Sequence, residues 1–196
     1  MTGNLNSTKK LAGIAVFSAI IITLQLIATF VKFGPFEITL ALVPIVVGAA
    51  VYGMGAGAFL GGVFGAVTLI AGIFGWSPGT NILWTMNPLL TTVLAVGKGA
   101  AAGFFAGAVY IAAAKKHAAL ASVLAAIMCP VANTGVFLVG MILFYKDTLT
   151  EWAGGTLTLS AVMFTILGVN FLLEFGVNVV LSPVVSRILK IRANFK

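Results

Sequence analysis

The chain has 196 residues, of which 61% are hydrophobic and only 8% are charged. Because soluble domains carry about 25% charged residues, this composition excludes an ordinary soluble protein and predicts one embedded in a lipid bilayer. The formal net charge of +7 does not indicate nucleic-acid binding, since almost all of the basic residues lie between and outside the long apolar stretches, where they suit an anionic membrane surface.

Six apolar stretches approach or exceed the length of about 20 residues that a membrane-spanning helix needs. They predict an all-α integral membrane protein with a single transmembrane domain over residues 1–196. In chain order the predicted helices are 11–31, 38–54, 56–74, 88–114, 118–145 and 157–190. Only the glycine-rich stretch 53–57 separates the second helix from the third. One continuous helix there would be about 55 Å long, thicker than a bilayer core, which favours a tight turn over a broken helix.

The basic residues predict which side each loop faces. With six helices both termini lie on one side, and that side holds eight of the eleven lysines and arginines. These residues are Lys9, Lys10, Lys115, Lys116, Arg187, Lys190, Arg192 and Lys196. The positive-inside rule assigns this side, and therefore both termini, to the cytoplasm.

The predicted outer loops, 32–37, 75–87 and 146–156, are rich in aromatic and amide side chains. The first contains Phe36, and the second contains Trp76, Asn81, Trp84 and Asn87. Aromatic residues at this depth usually anchor a protein in the membrane interface. Two tryptophans and two asparagines within 75–87 are more than an anchor needs, so a hinged lid over an outward-facing pocket is the second interpretation.

Two ionisable residues, Lys98 and Glu174, fall inside predicted helices, where charges are costly and usually functional. They either pair with each other or contact a polar ligand, and an ammonium group suits a carboxylate or a phosphate. Asn170 and Glu174 share one face of the sixth helix because they are four residues apart, and Asn133 follows Pro130 in the fifth helix. Pocket lining and hydrogen bonding between helices remain equal alternatives for these amides.

Small residues recur every four positions in three of the predicted helices. Such spacing lets helix backbones approach closely, and the two glycine series are predicted to pack helices within this chain. The pair in the first helix is a weaker match that could face a partner membrane protein. The positions are Gly57, Gly61 and Gly65; Gly99, Gly103 and Gly107; and Ala15 and Ala19.

Sequence signals for catalysis are missing. The chain contains no GxxxxGK[ST] or HExxH motif, and its single cysteine, single histidine and four acidic residues do not form a recognisable metal or nucleophile pattern. We therefore expect neither an enzyme nor a bound cofactor or metal.

Several segments together resemble the substrate-binding S components of energy-coupling factor (ECF) vitamin transporters. They are the Ala15-xxx-Ala19 pair after a basic N-terminus, the turn 33–36, the glycine-rich turn 53–57, Pro130-Val131-Ala132-Asn133-Thr134, and Asn170-xxx-Glu174-xxx-Asn178 followed by Ser182-Pro183. The resemblance covers nearly the whole chain in length, number of helices and topology. No single motif is specific to this family, and the resemblance rests on the combination.

The resemblance implies a substrate-specific subunit of the bacterial plasma membrane that binds a vitamin or related micronutrient on the outer side. Ala15 and Ala19 would contact a transmembrane T component, and two cytoplasmic ATPases would drive import. Phe36, Trp76, Asn81, Trp84, Asn87, Lys98, Asn133, Asn170 and Glu174 are the expected substrate contacts. The alternative is a stand-alone secondary carrier or channel for a small polar solute, which inverted repeats would favour; no convincing repeat is present.

Overall fold

The structure is a computed structural model, and it describes residues 7–30, 32–33, 36–37, 40–115, 117–155, 171–172, 174–181, 183 and 187. In these ranges the regular elements are helices apart from one short antiparallel ribbon. The elements are α1 Ser7–Ala28, β1 Lys32–Phe33, β2 Phe36–Glu37, α2 Leu42–Tyr52, α3 Met54–Ile73, α4 Pro78–Met86, α5 Pro88–Ala114, α6 Ala118–Phe144 and α7 Lys146–Trp152. Residues 174–181 are also helical.

Four of these helices, α1, α3, α5 and α6, are long and apolar enough to cross a membrane. The fifth apolar helix, α2, has only 11 residues and is shorter than the predicted segment 38–54. Its start is explained by Pro44, whose ring would collide with the carbonyl group of Leu40 if the helix began a turn earlier. Most of the predicted helix 157–190 lies outside the described residues.

The connection between α2 and α3 is a single residue, Gly53. Its φ of 94° lies in the region that favours glycine. On either side of it the two helices pack together, because a Cβ atom on Gly48 would overlap the Leu60 side chain, and one on Gly57 would lie 2.6 Å from the Ala49 Cβ. The chain therefore folds back sharply at Gly53.

Helices α3 and α5 pack antiparallel through the two glycine series. A Cβ atom on Gly61 would overlap the backbone carbonyl of Gly99, and one on Gly57 would overlap that of Gly103. The relation is mutual, since Cβ atoms on Gly99 and Gly103 would overlap the carbonyls of Gly61 and Gly57. Dispersion contacts between such closely spaced backbones are a main source of helix association in lipid.

The short helix α2 lies at the centre of the described bundle. Its residues Leu42, Ile45 and Val46 are fully buried and join a cluster with residues of α1, α3, α5 and α6. Because α2 is enclosed by longer helices, it can be buried without being long enough to span a bilayer by itself.

A second apolar cluster closes one end of the bundle. It joins Leu83 of α4, Leu94 of α5, Met141 of α6 and Leu149 of α7. The predicted outer loops 75–87 and 146–156 thus contain two short helices that pack on the ends of α5 and α6. Pro78 favours the start of α4 because proline fits the first turn of a helix.

Candidate functional site

Lys98 lies on the face of α5 that contacts α6. On the same face Leu94 packs on Gly140, and Thr91 shares a hydrogen bond of 2.8 Å with the Tyr145 hydroxyl. Lys98 is half-buried, ten residues from the start of α5 and therefore about 15 Å along its axis. Its Nζ atom lies 4.7 Å from the centroid of the Phe137 ring, a distance at which the ring attracts the ammonium group.

Asn133 lies on α6 one helical turn before Phe137, on the same face. Its side chain is only 6% exposed, and its Oδ1 atom has no hydrogen-bond partner among the described residues. A buried amide oxygen without a donor costs about 1–3 kcal/mol. The Asn133 Oδ1 atom can therefore accept a hydrogen bond, and the described residues provide no donor for it.

Two further buried polar residues lie in the helical segment 174–181. Glu174 is 5% exposed and Asn178 is 1% exposed. The Asn178 Nδ2 atom donates to the backbone carbonyl of Glu174 at 2.8 Å, while its Oδ1 atom is without a partner among the residues described. Asn170, which is predicted to share a helix face with Glu174, lies outside the described residues.

The polar residues of the predicted second outer loop are engaged in local hydrogen bonds. The Asn81 Nδ2 atom donates to the carbonyl of Gly72 at 2.8 Å, which ties α4 to the end of α3. The Asn87 Oδ1 atom accepts from the backbone N–H of Leu90 at 3.0 Å, so Asn87 is the N-cap of α5. In the described structure both amides hold α4 between α3 and α5.

The aromatic residues predicted with them are less enclosed. Trp76 is 45% exposed and stacks on Phe74, with ring centroids 5.4 Å apart. Trp84 is half-buried. The backbone of Phe36 pairs with that of Phe33 in the β1–β2 ribbon, and its side chain lies outside what the structure describes.

Tyr145, at the end of α6, was not predicted from the sequence. Its hydroxyl donates to the backbone carbonyl of Asn87 at 3.1 Å and meets the Thr91 hydroxyl, so it fastens the start of α5 to the end of α6. Phe137, the ring beneath Lys98, was also missed. Its position four residues after Asn133 places it on the polar face of α6, a signal that the sequence does contain.

We expect replacement of Asn87 by alanine to lower the free energy of unfolding by about 1 kcal/mol, the typical cost of losing an N-cap. Thermal unfolding of the purified protein measures this loss. Asn87→Ser is the matched control because serine also caps helices, and it should be near wild type. If both variants bind substrate normally, Asn87 acts as a cap; a loss of affinity at unchanged stability would make it a ligand contact instead.

Ala15 and Ala19 lie on the exposed side of α1. The opposite side of α1 is buried at Ile21 and Gln25. The two alanines are therefore accessible to lipid or to another membrane protein, and nothing in the described part of the chain covers them.

Comparisons with known proteins agree with this helical architecture. A family model described as "ECF transporter, substrate-specific component" matches residues 9–186. The pantothenic acid transporter PanT of Lactococcus lactis subsp. cremoris is 27% identical over 202 residues, which cover 96% of this chain and 98% of that protein. The solved structure of ThiT from Listeria monocytogenes is 20% identical, with a TM-score of 0.60 over 93% of this chain and 99% of the other.

Proposed function

The chain belongs to the family of ECF transporter substrate-specific components, and from this we propose that it binds a carboxylate-bearing vitamin, pantothenic acid or a close analogue, between α5 and α6. Family membership makes it a substrate-specific subunit of such a transporter and a multi-pass protein of a bacterial cell membrane. It does not favour the alternative of a stand-alone carrier or channel. The relatives are transporter components, which is consistent with a role outside catalysis.

The observation that carries the choice of substrate is the Lys98 ammonium group held against Phe137 inside the bundle. Lys98 has another interaction within the protein, but its ammonium group has three N–H donors. A carboxylate ligand would add a charge-assisted hydrogen bond, which is about twice as strong as a neutral one. Pantothenic acid is ionised at neutral pH and carries one carboxylate. The relative named a pantothenic acid transporter, which aligns over almost the whole chain, supports the same choice.

We further propose the complete topology of six membrane-spanning helices with both termini in the cytoplasm. Gly13 lies against Tyr52, and Met54 against Gly107, so one end of the bundle contains the start of α1, the α2–α3 turn and the end of α5. Lys9, Lys10 and Lys115 are exposed near that end. The accumulation of basic residues supports a cytoplasmic location.

The proposed partners are a transmembrane T component and two cytoplasmic ATPase subunits, which would supply the energy for import. The exposed Ala15 and Ala19 face is the proposed contact with the T component, since small residues allow close helix approach.

Of the remaining predicted substrate contacts, Phe36, Trp76, Trp84, Asn170 and Glu174 stay predictions. For Asn81 and Asn87 we propose a positioning role, because their amides form the hydrogen bonds that hold α4 between α3 and α5.

Native mass spectrometry of the protein in mild detergent, after incubation with a panel of water-soluble vitamins, tests the identity of the substrate. We expect a pantothenate adduct and no adduct with the cationic vitamin thiamine, because Lys98 disfavours a positive charge nearby. An adduct with thiamine alone, or with none of the panel, would exclude the proposed substrate.

Replacing Lys98 by methionine tests its role as the carboxylate receptor. We expect wild-type protein to bind pantothenate more tightly than pantothenol, in which a CH₂OH group replaces the carboxylate. Loss of a hydrogen bond to a charged group costs about 1.5–3 kcal/mol, so Lys98→Met should weaken pantothenate roughly 10- to 150-fold and pantothenol much less. Calorimetric titration of both ligands measures the difference.

Lys115→Met is the matched control for this experiment. Lys115 follows the last residue of the same helix and is exposed, so its replacement makes the same chemical change away from the site. Equal weakening of pantothenate and pantothenol by Lys98→Met would show that Lys98 supports the structure and does not read the carboxylate.

A further inference from the structure

The described residues contain two buried amide oxygens without a hydrogen-bond partner, those of Asn133 and Asn178. Of the two, Asn133 lies on the same face of α6 as Phe137, the residue whose ring contacts Lys98. It lies one turn from Phe137 on α6, about 6 Å along the helix axis, and the Phe137 ring carries the Lys98 ammonium group. The position of Asn133 on α6 is therefore about one turn further into the bundle than that of Phe137, whose ring contacts the Lys98 ammonium group.

Such an amide is explained in one of two ways. As an interhelical link it would have its partner on a neighbouring helix, but Asn133 Oδ1 has none among the described residues. As a ligand contact, the Asn133 Oδ1 atom stays unpaired until a ligand supplies a donor. A ligand without that donor leaves the buried oxygen unpaired, so the site is selective for ligands that carry the donor.

We propose that Asn133 selects for a hydroxyl or amide N–H group that the substrate carries about one helical turn beyond its carboxylate. The inference rests on the proposed function, because Lys98 fixes the position of the carboxylate. It defines the substrate class more narrowly: an anion at one end and a hydrogen-bond donor a few bonds away. Pantothenate fits this class, since its carboxylate is followed by an amide N–H and then by two hydroxyl groups.

The test compares three ligands, namely pantothenate, an analogue in which hydrogen replaces both hydroxyls, and an analogue methylated on the amide nitrogen. In wild-type protein one of the two analogues should bind roughly 5- to 150-fold more weakly than pantothenate, the effect of leaving a buried acceptor unpaired. In Asn133→Leu that difference should disappear, with all three ligands binding alike. Calorimetric titration gives the affinities.

Unfolding of the ligand-free protein separates selection from a structural role. Replacing an unpaired buried polar group by an apolar one of similar size is neutral or stabilising, so Asn133→Leu should not lower the melting temperature. Ser122→Ala is the control on the same helix, because the buried Ser122 hydroxyl already bonds to the carbonyl of Ala118 at 3.1 Å; it should keep the wild-type preference among the ligands.

The outcomes distinguish the two proposals. If wild-type protein binds pantothenate but does not discriminate among the three ligands, or if Asn133→Leu keeps the discrimination, the role of Asn133 is refuted and the proposed substrate stands. A fall in the melting temperature of ligand-free Asn133→Leu with unchanged discrimination would likewise refute it. If wild-type protein does not bind pantothenate, the proposed substrate is wrong and the inference falls with it.

Discussion

Replacing Gly61 by alanine is expected to destabilise the protein by about 1–3 kcal/mol, the range for overpacked cores, and to reduce the amount of folded protein recovered. The added methyl group would overlap the backbone carbonyl of Gly99, and a backbone atom cannot rotate away as a flexible side chain can. Helices α3 and α5 would have to separate, which loosens their contacts along the whole glycine series. Thermal unfolding in detergent measures the loss.

The neighbouring glycine provides the control. A Cβ atom on Gly62 would meet only the Val96 Cγ1 atom, at 4.0 Å, an ordinary contact distance. Gly62→Ala should therefore be neutral or slightly stabilising, because alanine favours a helix over glycine by up to about 1 kcal/mol. On the facing helix, Gly99→Ala and Gly97→Ala form a second pair, since a Cβ on Gly97 meets nothing within 4 Å. Similar effects of both members of each pair would contradict the proposed packing of α3 on α5.

The glycine series illustrates what the sequence predicts about the fold. A repeat of four residues identifies the face on which each helix can approach another closely, because that property depends only on helix geometry. Which helix occupies that face depends on contacts between distant parts of the chain. The pairing of Gly61 with Gly99 therefore required the structure, although each glycine was recognised beforehand.

The short helix α4 could not be predicted from local sequence patterns. The stretch 75–87 is rich in glycine, proline and asparagine, which predict loops, yet α4 occupies residues 78–86. It is stabilised by the bond from Asn81 to Gly72 and by burial of Leu83. Both stabilising contacts are made with residues outside the helix, so no local pattern reveals them.

One residue of the candidate site, Lys98, could be predicted from the sequence for a physical reason. A lysine within an apolar helix stands out because burial of a charge needs a compensating environment, and this identified Lys98. Phe137 and Tyr145 did not stand out, because an aromatic residue in a membrane helix is common. Their importance comes from what they touch, the Lys98 ammonium group and the Asn87 carbonyl, and this is set by the packing of α5 on α6.

Replacing both Ala15 and Ala19 by tryptophan is expected to abolish uptake in cells while leaving substrate affinity near wild type. Both positions are on the exposed side of α1, so the larger side chains should not disturb the bundle. A T component that packs closely on these alanines could not approach, because helix contacts through small residues tolerate little added volume. Uptake of radiolabelled pantothenate by cells that produce the full transporter, together with titration of the isolated subunit, separates the two functions.

A second double variant, Ile20→Trp with Ile27→Trp, controls for bulk on α1. Both isoleucines are exposed, at 42% and 57%, and share one face of α1 because they are seven residues apart. That face is turned by about 100° from the alanine face, since Ile20 directly follows Ala19 in a helix with about 3.6 residues per turn. This variant should retain uptake if the partner contacts the alanine face specifically. Equal loss of uptake in both variants would mean that large side chains on any exposed face of α1 prevent transport. Loss of substrate affinity in the alanine variant would mean that Ala15 and Ala19 are needed for the structure of the subunit. Uptake lost only in the alanine variant, with affinity intact, would assign energy coupling to a surface physically separate from the α5–α6 site.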